Sequence, residues 1–285
     1  MSDTLQVGGI ALFDLEDEKD MDNLKRIEIV KDIIKEAAQI GLHYFGKVSG
    51  SSKSDGTFVT KADGELEAFL VKELQKYFPQ DSILGEESGL HENTSPLTWS
   101  IDPIDGTSAY LCRLPFWGTS IGLLEDGKPV LGVVYLPAAE ELYYASKGQG
   151  AYMESKFWGK ERLDITDVDL AQKENLIMIS SSFHRQHSIN YSGKIRNLGS
   201  TVANALMVAR GDAAGAFMRV HNWDLAACVP ILEEAGGYAN FLDGSNFDIN
   251  QLYKGNPNLP TTVLSNPKAK EILLSGTISY RVPTA

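Results

Sequence analysis

The sequence predicts an α+β amino-terminal half running into an α/β carboxy-terminal half. Three observations carry this: a long amphipathic helix near the start, an antiparallel meander in the middle, and strands alternating with helices after about residue 155. The helix is read from Leu24 to Phe45, where Ile27, Val30, Ile33, Ile34, Ala37, Ala38 and Leu42 recur at three- and four-residue spacing. A stretch rich in Ser, Gly and Lys follows from Gly46 to Phe58, and helical spacing returns from Asp63 to Phe78 through Leu66, Phe69, Leu70 and Leu74. Asp63 therefore stands at a helix entrance.

The meander is built from apolar runs at Trp99 to Ile101, Gly118 to Leu124 and Val130 to Tyr135, with Asp126-Gly127 as the tight turn between the last two. Leu142 to Ala145 and Ala151 to Met153 extend it around Gly148-Gln149-Gly150. Farther on come a strand at Leu176 to Ser180, a helix at Thr201 to Arg210, a strand at Ala214 to Met218, and a helix from Asp224 to Ala235. Pro230 lies within that last helix and is expected to bend it, because proline lacks the N–H that bonds to the preceding turn. The two halves divide as residues 1–154 and 155–285, with no repeat and no flexible linker between them.

Composition narrows the function classes. The chain has 285 residues, 43% of them hydrophobic, which is enough for a large core. No apolar run approaches the roughly 20 residues of a membrane-spanning helix, so no membrane partner is expected. The amino terminus pairs a short apolar patch with an acidic stretch from Asp14 to Asp22, unlike a basic secretory signal, and the protein is expected in the cytoplasm. Only two cysteines occur, Cys112 and Cys228, at no metal-ligand spacing, and they read as packing residues. The net charge of −12 disfavours nucleic acid as a partner.

The chemistry concentrates in Trp99-Ser-Ile-Asp102-Pro-Ile-Asp105-Gly-Thr107-Ser108. Asp102 and Asp105 close an apolar strand as hard oxygen donors suited to Mg²⁺, and the Ile104 carbonyl between them is a further donor. The amides of Gly106, Thr107 and Ser108, opening a helix, form an anion site. The same residue types also end strands and cap helices without binding anything, so this segment alone leaves both readings open. Neither a P-loop nor a Gly-x-Gly-x-x-Gly turn is present, which excludes those nucleotide-binding classes.

Three more segments resolve the choice: Phe58-Val-Thr60-Lys-Ala-Asp63, Gly85-Glu86-Glu87-Ser88 after Ile83-Leu84, and Trp223-Asp224-Leu-Ala-Ala. Together, in order and spacing from about Lys53 to Gly237, these segments resemble the inositol monophosphatase family. The resemblance implies a layered α/β/α/β/α sandwich of the inositol monophosphatase and fructose-1,6-bisphosphatase type. It implies that Glu86, Asp102 and the Ile104 carbonyl hold one Mg²⁺, and that Asp102, Asp105 and Asp224 hold a second. A third, weaker ion would sit at Glu86 with Asp63 nearby. Glu87 would support the site from behind or cap a helix, Lys53 resembles a lysine the family places near the phosphate, and Asp224 can cap its own helix while binding metal.

The implied activity is hydrolysis of a small phosphorylated metabolite, with Thr107 and either Glu86 or Asp63 orienting water and accepting its proton. The phosphate would meet Ile104, Asp105, Gly106, Thr107, Ser108 and Asp224. Divalent cations are required on charge grounds as well, since an acidic chain otherwise repels an anionic substrate. Homodimers and lithium sensitivity are also implied. Inositol phosphate leads among substrates, although Phe217 stands where inositol-specific members often carry Glu, and Ala109 replaces a common Asn. The run from Leu114 to Leu124 resembles histidinol-phosphatase branches, making histidinol phosphate the competitor ahead of nucleotide 3′-phosphates and sugar bisphosphates. Arg219 and His221 either face the leaving group or belong to a surface loop. A regulatory module without catalysis is the alternative from another class.

Overall fold

The computed structural model describes residues 22–53, 56–166, 176–181, 183–185, 187–252, 259–275 and 278–280. The amino-terminal apolar patch and nearly all of the acidic stretch after it lie outside these residues.

Helix α1 (Asn23–Tyr44) begins where Asp22 accepts the amide of Lys25, and it buries the predicted apolar stripe. The Ser/Gly/Lys-rich stretch, read only as a connection, contains a small hairpin of β1 (Gly50–Ser52) and β2 (Phe58–Thr60). Thr60 and Asp63 then form a capping box at the start of α2 (Lys61–Tyr77).

An eight-stranded sheet follows, made of β3 (Ser82–Gly85), β4 (Gly89–His91), β5 (Leu97–Asp105), β6 (Gly118–Glu125), β7 (Lys128–Leu136), β8 (Glu141–Ser146), β9 (Ala151–Ser155) and β10 (Gly159–Leu163). Their spatial order is β10-β9-β8-β7-β6-β5-β3-β4, with β5 parallel to β3 and antiparallel to β6. The short helix α3 (Thr107–Leu111) leaves the end of β5. Asp126-Gly127 turns β6 into β7 with both residues at positive φ, as the dipeptide predicts. The meander runs one hairpin farther than expected, so this first sheet continues through Leu163, past residue 154.

The second sheet has the order β13-β11-β14-β16-β15, from β11 (Ile177–Ile179), β13 (Ile195–Arg196), β14 (Gly215–Met218), β15 (Tyr238–Phe241) and β16 (Thr262–Ser265). A separate two-stranded piece joins β12 (His187–Ile189) to β17 (Ile278–Tyr280). Between the two sheets lie α4 (Thr201–Ala209), α5 (Asn222–Leu225) and α6 (Cys228–Glu234). Helices α1 and α2 cover the outer face of the first sheet, and α7 (Lys270–Leu274) packs on β16. The result is the layered α/β/α/β/α sandwich that the resemblance implies.

The single helix expected from Asp224 to Ala235 is in fact α5 and α6, broken at Ala226 and Ala227. Pro230 is not the corner: it is the third residue of α6, in the first turn, where a missing amide has no helical partner to disappoint. The corner itself rests on the first sheet. Gly122 of β6 and Gly132 of β7 are paired across the strands, and a Cβ on either would strike the backbone of Ala226 or Ala227. Two strand glycines thus make a hollow for a helix corner, and that hollow sets where Asp224 points.

The other anchor is at α3. Tyr110 donates to the Gly41 carbonyl at 2.6 Å, and Trp117 packs where a Cβ on Gly41 would stand, 2.7 Å away. Trp117 is therefore core, whereas Trp158 is 56% exposed. Cys228 packs in the interior, but Cys112 is exposed at the end of α3, so only one of the two cysteines is a packing residue.

Replacing Gly132 with Ala should overpack the corner and lower stability by about 1–3 kcal/mol, read as a shifted denaturation midpoint. An unchanged midpoint would show that the corner does not need the hollow.

Candidate metal centre

Strand β5 delivers Asp102 and Asp105 from its last turn of residues, and its pairing to β6 slips between them. That irregularity matters, because residues three apart on a regular strand face opposite sides. Here both side chains are buried, 1% and 3% exposed, and both reach a common point with Asp224 of α5. Carboxylate oxygens of the three lie within 4.8 Å of one another.

Each acid is held differently. Asp105 accepts the Ser200 hydroxyl in a short hydrogen bond and the Val202 amide at 3.0 Å, so it caps α4 from another element. Asp224 is not the N-cap of its helix but its third residue, and it accepts the amide of the N-cap, His221, at 2.7 Å. Asp102 is the least satisfied of the group: its Oδ1 is buried and has no hydrogen-bond partner among the described residues.

Burial first, then the neighbouring Glu86, Asp105 and Asp224, push the Asp102 carboxyl well above its ordinary range. Asp224 is raised in the same direction by burial and by Asp105 and Glu86. Burial raises Asp105 to about 6 even though Ser200 and Val202 oppose it. Glu86, after β3, is raised to about 7 by burial against the pull of Lys53.

Lys53, in the loop of the β1–β2 hairpin, binds Glu86 at 2.7 Å and Glu87 at 2.6 Å. Burial alone would lower its pKa, but these two carboxylates outweigh burial and hold it raised. Glu87 thus spends its side chain on Lys53.

Asp63 is fully buried, with Oδ2 taken by the Thr60 amide at 2.8 Å and the Thr60 hydroxyl at 2.6 Å. Burial raises its pKa despite those bonds. Its Oδ1 faces the Thr107 hydroxyl at 3.4 Å, and Thr107 also reaches the Ile104 carbonyl at 3.1 Å. Gly106 has φ 85° and packs against Gly199 and Ser200 so closely that a Cβ would lie 2.9 Å from the Ser200 Cβ. With five residues, α3 sums little dipole, so the amides of Gly106, Thr107 and Ser108 act as local donors.

Glu86, Asp102, Asp105, Asp224, the Ile104 position and Gly106 to Ser108 line one cleft of about 540 Å³, whereas Lys53 and Glu87 lie outside its lining. Asp63 reaches it only through Thr107. Arg219 and His221 form its far wall, half-buried, rather than a surface loop. Phe217 is buried in β14, two residues from the cleft wall. The residues that sequence reasoning missed are Ser200, Thr201 and Val202, which hold Asp105, and Ser180, whose buried hydroxyl has no partner among the described residues. Gly199-Ser200 ahead of an apolar helix is a legible cap signal, but nothing local ties it to Asp105.

A donor set made only of oxygens, with one buried and orphaned at its centre, fits hard divalent cations such as Mg²⁺. A cleft that sets such a centre beside backbone amides can hold a phosphate group through divalent cations, and the family match identifies the chain as a phosphoric monoester hydrolase. The chain belongs to the inositol monophosphatase family, whose profile matches residues 20–273.

Among relatives, it is 30% identical over 263 residues to a fructose-1,6-bisphosphatase/inositol-1-monophosphatase of Aquifex aeolicus, covering 87% of this chain and 97% of that one. It is 33% identical over 217 residues to a histidinol-phosphatase of Chlorobaculum parvum, covering 74% and 83%. The solved structure of an IMPase from Thermotoga maritima superposes with a TM-score of 0.74 at 27% identity, over 87% of this chain and 95% of that one.

The raised carboxyl groups have a consequence for stability. Without cations, the folded protein holds protons that the unfolded chain releases, so the cluster favours folding below about pH 4 and that contribution is lost as pH rises through about 6 to 7. In chelator, the melting temperature should fall across that window, and millimolar Mg²⁺ should restore it most at the upper end. A metal-independent pH profile would contradict the assignment.

Proposed function

We propose that the protein hydrolyses a small phosphate monoester with Mg²⁺ bound at Glu86, Asp102, Asp105, Asp224 and the Ile104 carbonyl. The observation that carries the proposal is the convergence of Asp102, Asp105 and Asp224, with one buried Asp102 oxygen left without a partner among the described residues. Two or three bound ions would supply charge neutralisation and an acidified water. The chain's own groups do the rest. The Thr107 hydroxyl accepts the water's proton while donating its own towards Asp63 Oδ1, the one oxygen that Thr60 leaves available. Burial raises the Asp63 pKa, which makes it a better proton acceptor. The amides of Gly106 and Thr107 meet phosphate oxygens, since the first residues of a helix have no intrahelical acceptor.

Substrate choice belongs to the far wall. An inositol phosphate is the leading substrate, and its hydroxyl groups match the polar wall of Ser180, Ser181 and Thr201. Arg219 on the same wall disfavours a cationic leaving group, which supports an inositol phosphate over histidinol phosphate, the alternative ahead of nucleotide 3′-phosphates and sugar bisphosphates. The homodimer implied by the family is read directly from the mass in light scattering.

Mg²⁺-dependent phosphate release should appear in a panel of inositol 1-phosphate, histidinol phosphate, fructose 1,6-bisphosphate and adenosine 3′,5′-bisphosphate. Release from none of them by the metal-loaded protein favours a regulatory module instead. Asp102→Asn should abolish turnover yet raise the melting temperature in chelator as pH rises, because it removes a buried carboxyl whose ionisation the burial and the neighbouring acids oppose. Thr107→Ala should lower kcat by about 10²- to 10⁴-fold with an intact fold; wild-type kcat would remove Thr107 from the proton path.

A further inference from the structure

Glu67 is a buried acid with no role in the reaction described above. It lies on α2 one turn after Asp63 and is 2% exposed. Its carboxylate is directed at the turn after β3: Oε2 accepts the Glu87 amide at 3.0 Å and Oε1 accepts the Ser88 amide at 2.6 Å. Room for it exists because residue 85 is glycine; a Cβ there would stand 2.5 Å from Oε1.

A carboxylate buried beside other carboxylates is unfavourable unless its bonds are needed. Those bonds go to two consecutive amides of the loop that carries Glu86. From the solvent side the same loop is held through side chains, by Lys53. Were cations to displace that lysine contact, the Glu67 bonds to the backbone would still hold the loop.

We propose that Glu67 is a positioning residue, which clamps the Glu86–Ser88 backbone so that the Glu86 carboxylate faces the metal centre. The proposal rests on the metal-site reading above. A neutral amide cannot reproduce the clamp, because one end of it is an NH₂ group that would confront a backbone N–H.

An internal control separates positioning from plain stabilisation. Glu234 makes the same two-amide clamp, accepting Gly148 and Gly150 at 2.7 Å each, at the β8–β9 turn. That turn is separated from β5 by β7 and β6 in the sheet.

The test is Mn²⁺ binding to the full chain by electron paramagnetic resonance, without substrate, alongside melting temperature and the Mg²⁺ dependence of activity. Glu67→Gln should weaken Mn²⁺ binding by about 10- to 100-fold, with kcat recovering at high Mg²⁺. Glu234→Gln should lower the melting temperature but leave the metal titration at wild type. Glu67→Asp keeps the charge but is too short to reach both amides, and it should shift the titration in the same direction if Glu67→Gln does not fold. Wild-type Mn²⁺ affinity in a folded Glu67 variant overturns the proposal, whatever its stability. A wild-type protein that binds Mn²⁺ but cleaves no phosphate ester defeats the substrate reading alone, and the shift in Glu67→Gln would still support the clamp.

Discussion

Like charges held together in a partly dry cleft set the terms for everything else in this protein. Oxygens of Asp102, Asp105 and Asp224 within 4.8 Å of one another would, if ionised, repel by roughly 3 kcal/mol per pair at an effective dielectric of about 20. A fold that brings them together must hold each carboxylate by something stiffer than its own side-chain preference. The scaffold does so with backbone: a slipped strand for Asp102 and Asp105, a helix cap for Asp105, a returning cap for Asp224. Protonation and Lys53 relieve the remaining repulsion in the cation-free form, and divalent cations would relieve it more completely.

The same constraint explains features that look unrelated to chemistry. Gly122 and Gly132 are paired in the sheet because a helix corner must approach their backbone to aim Asp224. Gly106 needs both a left-handed φ and close contact with Ser200, the residue that holds Asp105. Gly85 leaves space for Glu67. These glycines lie in different elements, and each allows a backbone or carboxylate to approach within a distance that a Cβ would forbid.

The cleft also divides its work by position. In the proposed reaction its acidic end would face the phosphate through cations and amides, while the hydroxyl groups, His221 and Arg219 of its far wall would face the leaving group. Phe217, buried in β14 instead of presenting an acid, leaves that wall without a negative charge at that position.

Much of this was legible from residue order. Periodicity marked α1 and α2, Asp126-Gly127 marked the β6–β7 turn, and the Asp102 to Ser108 segment marked the chemistry, because these signals act between residues a few positions apart. The resemblance added Asp224 and Glu86 to the site. What residue order could not decide is who holds whom across the layers. Ser200 meets Asp105 over 95 residues, Glu67 meets the loop after β3, and the corner of α5 and α6 falls at Ala226 instead of at Pro230. Those contacts depend on how sheets and helices dock, and docking is set by packing between distant surfaces, which no local propensity encodes.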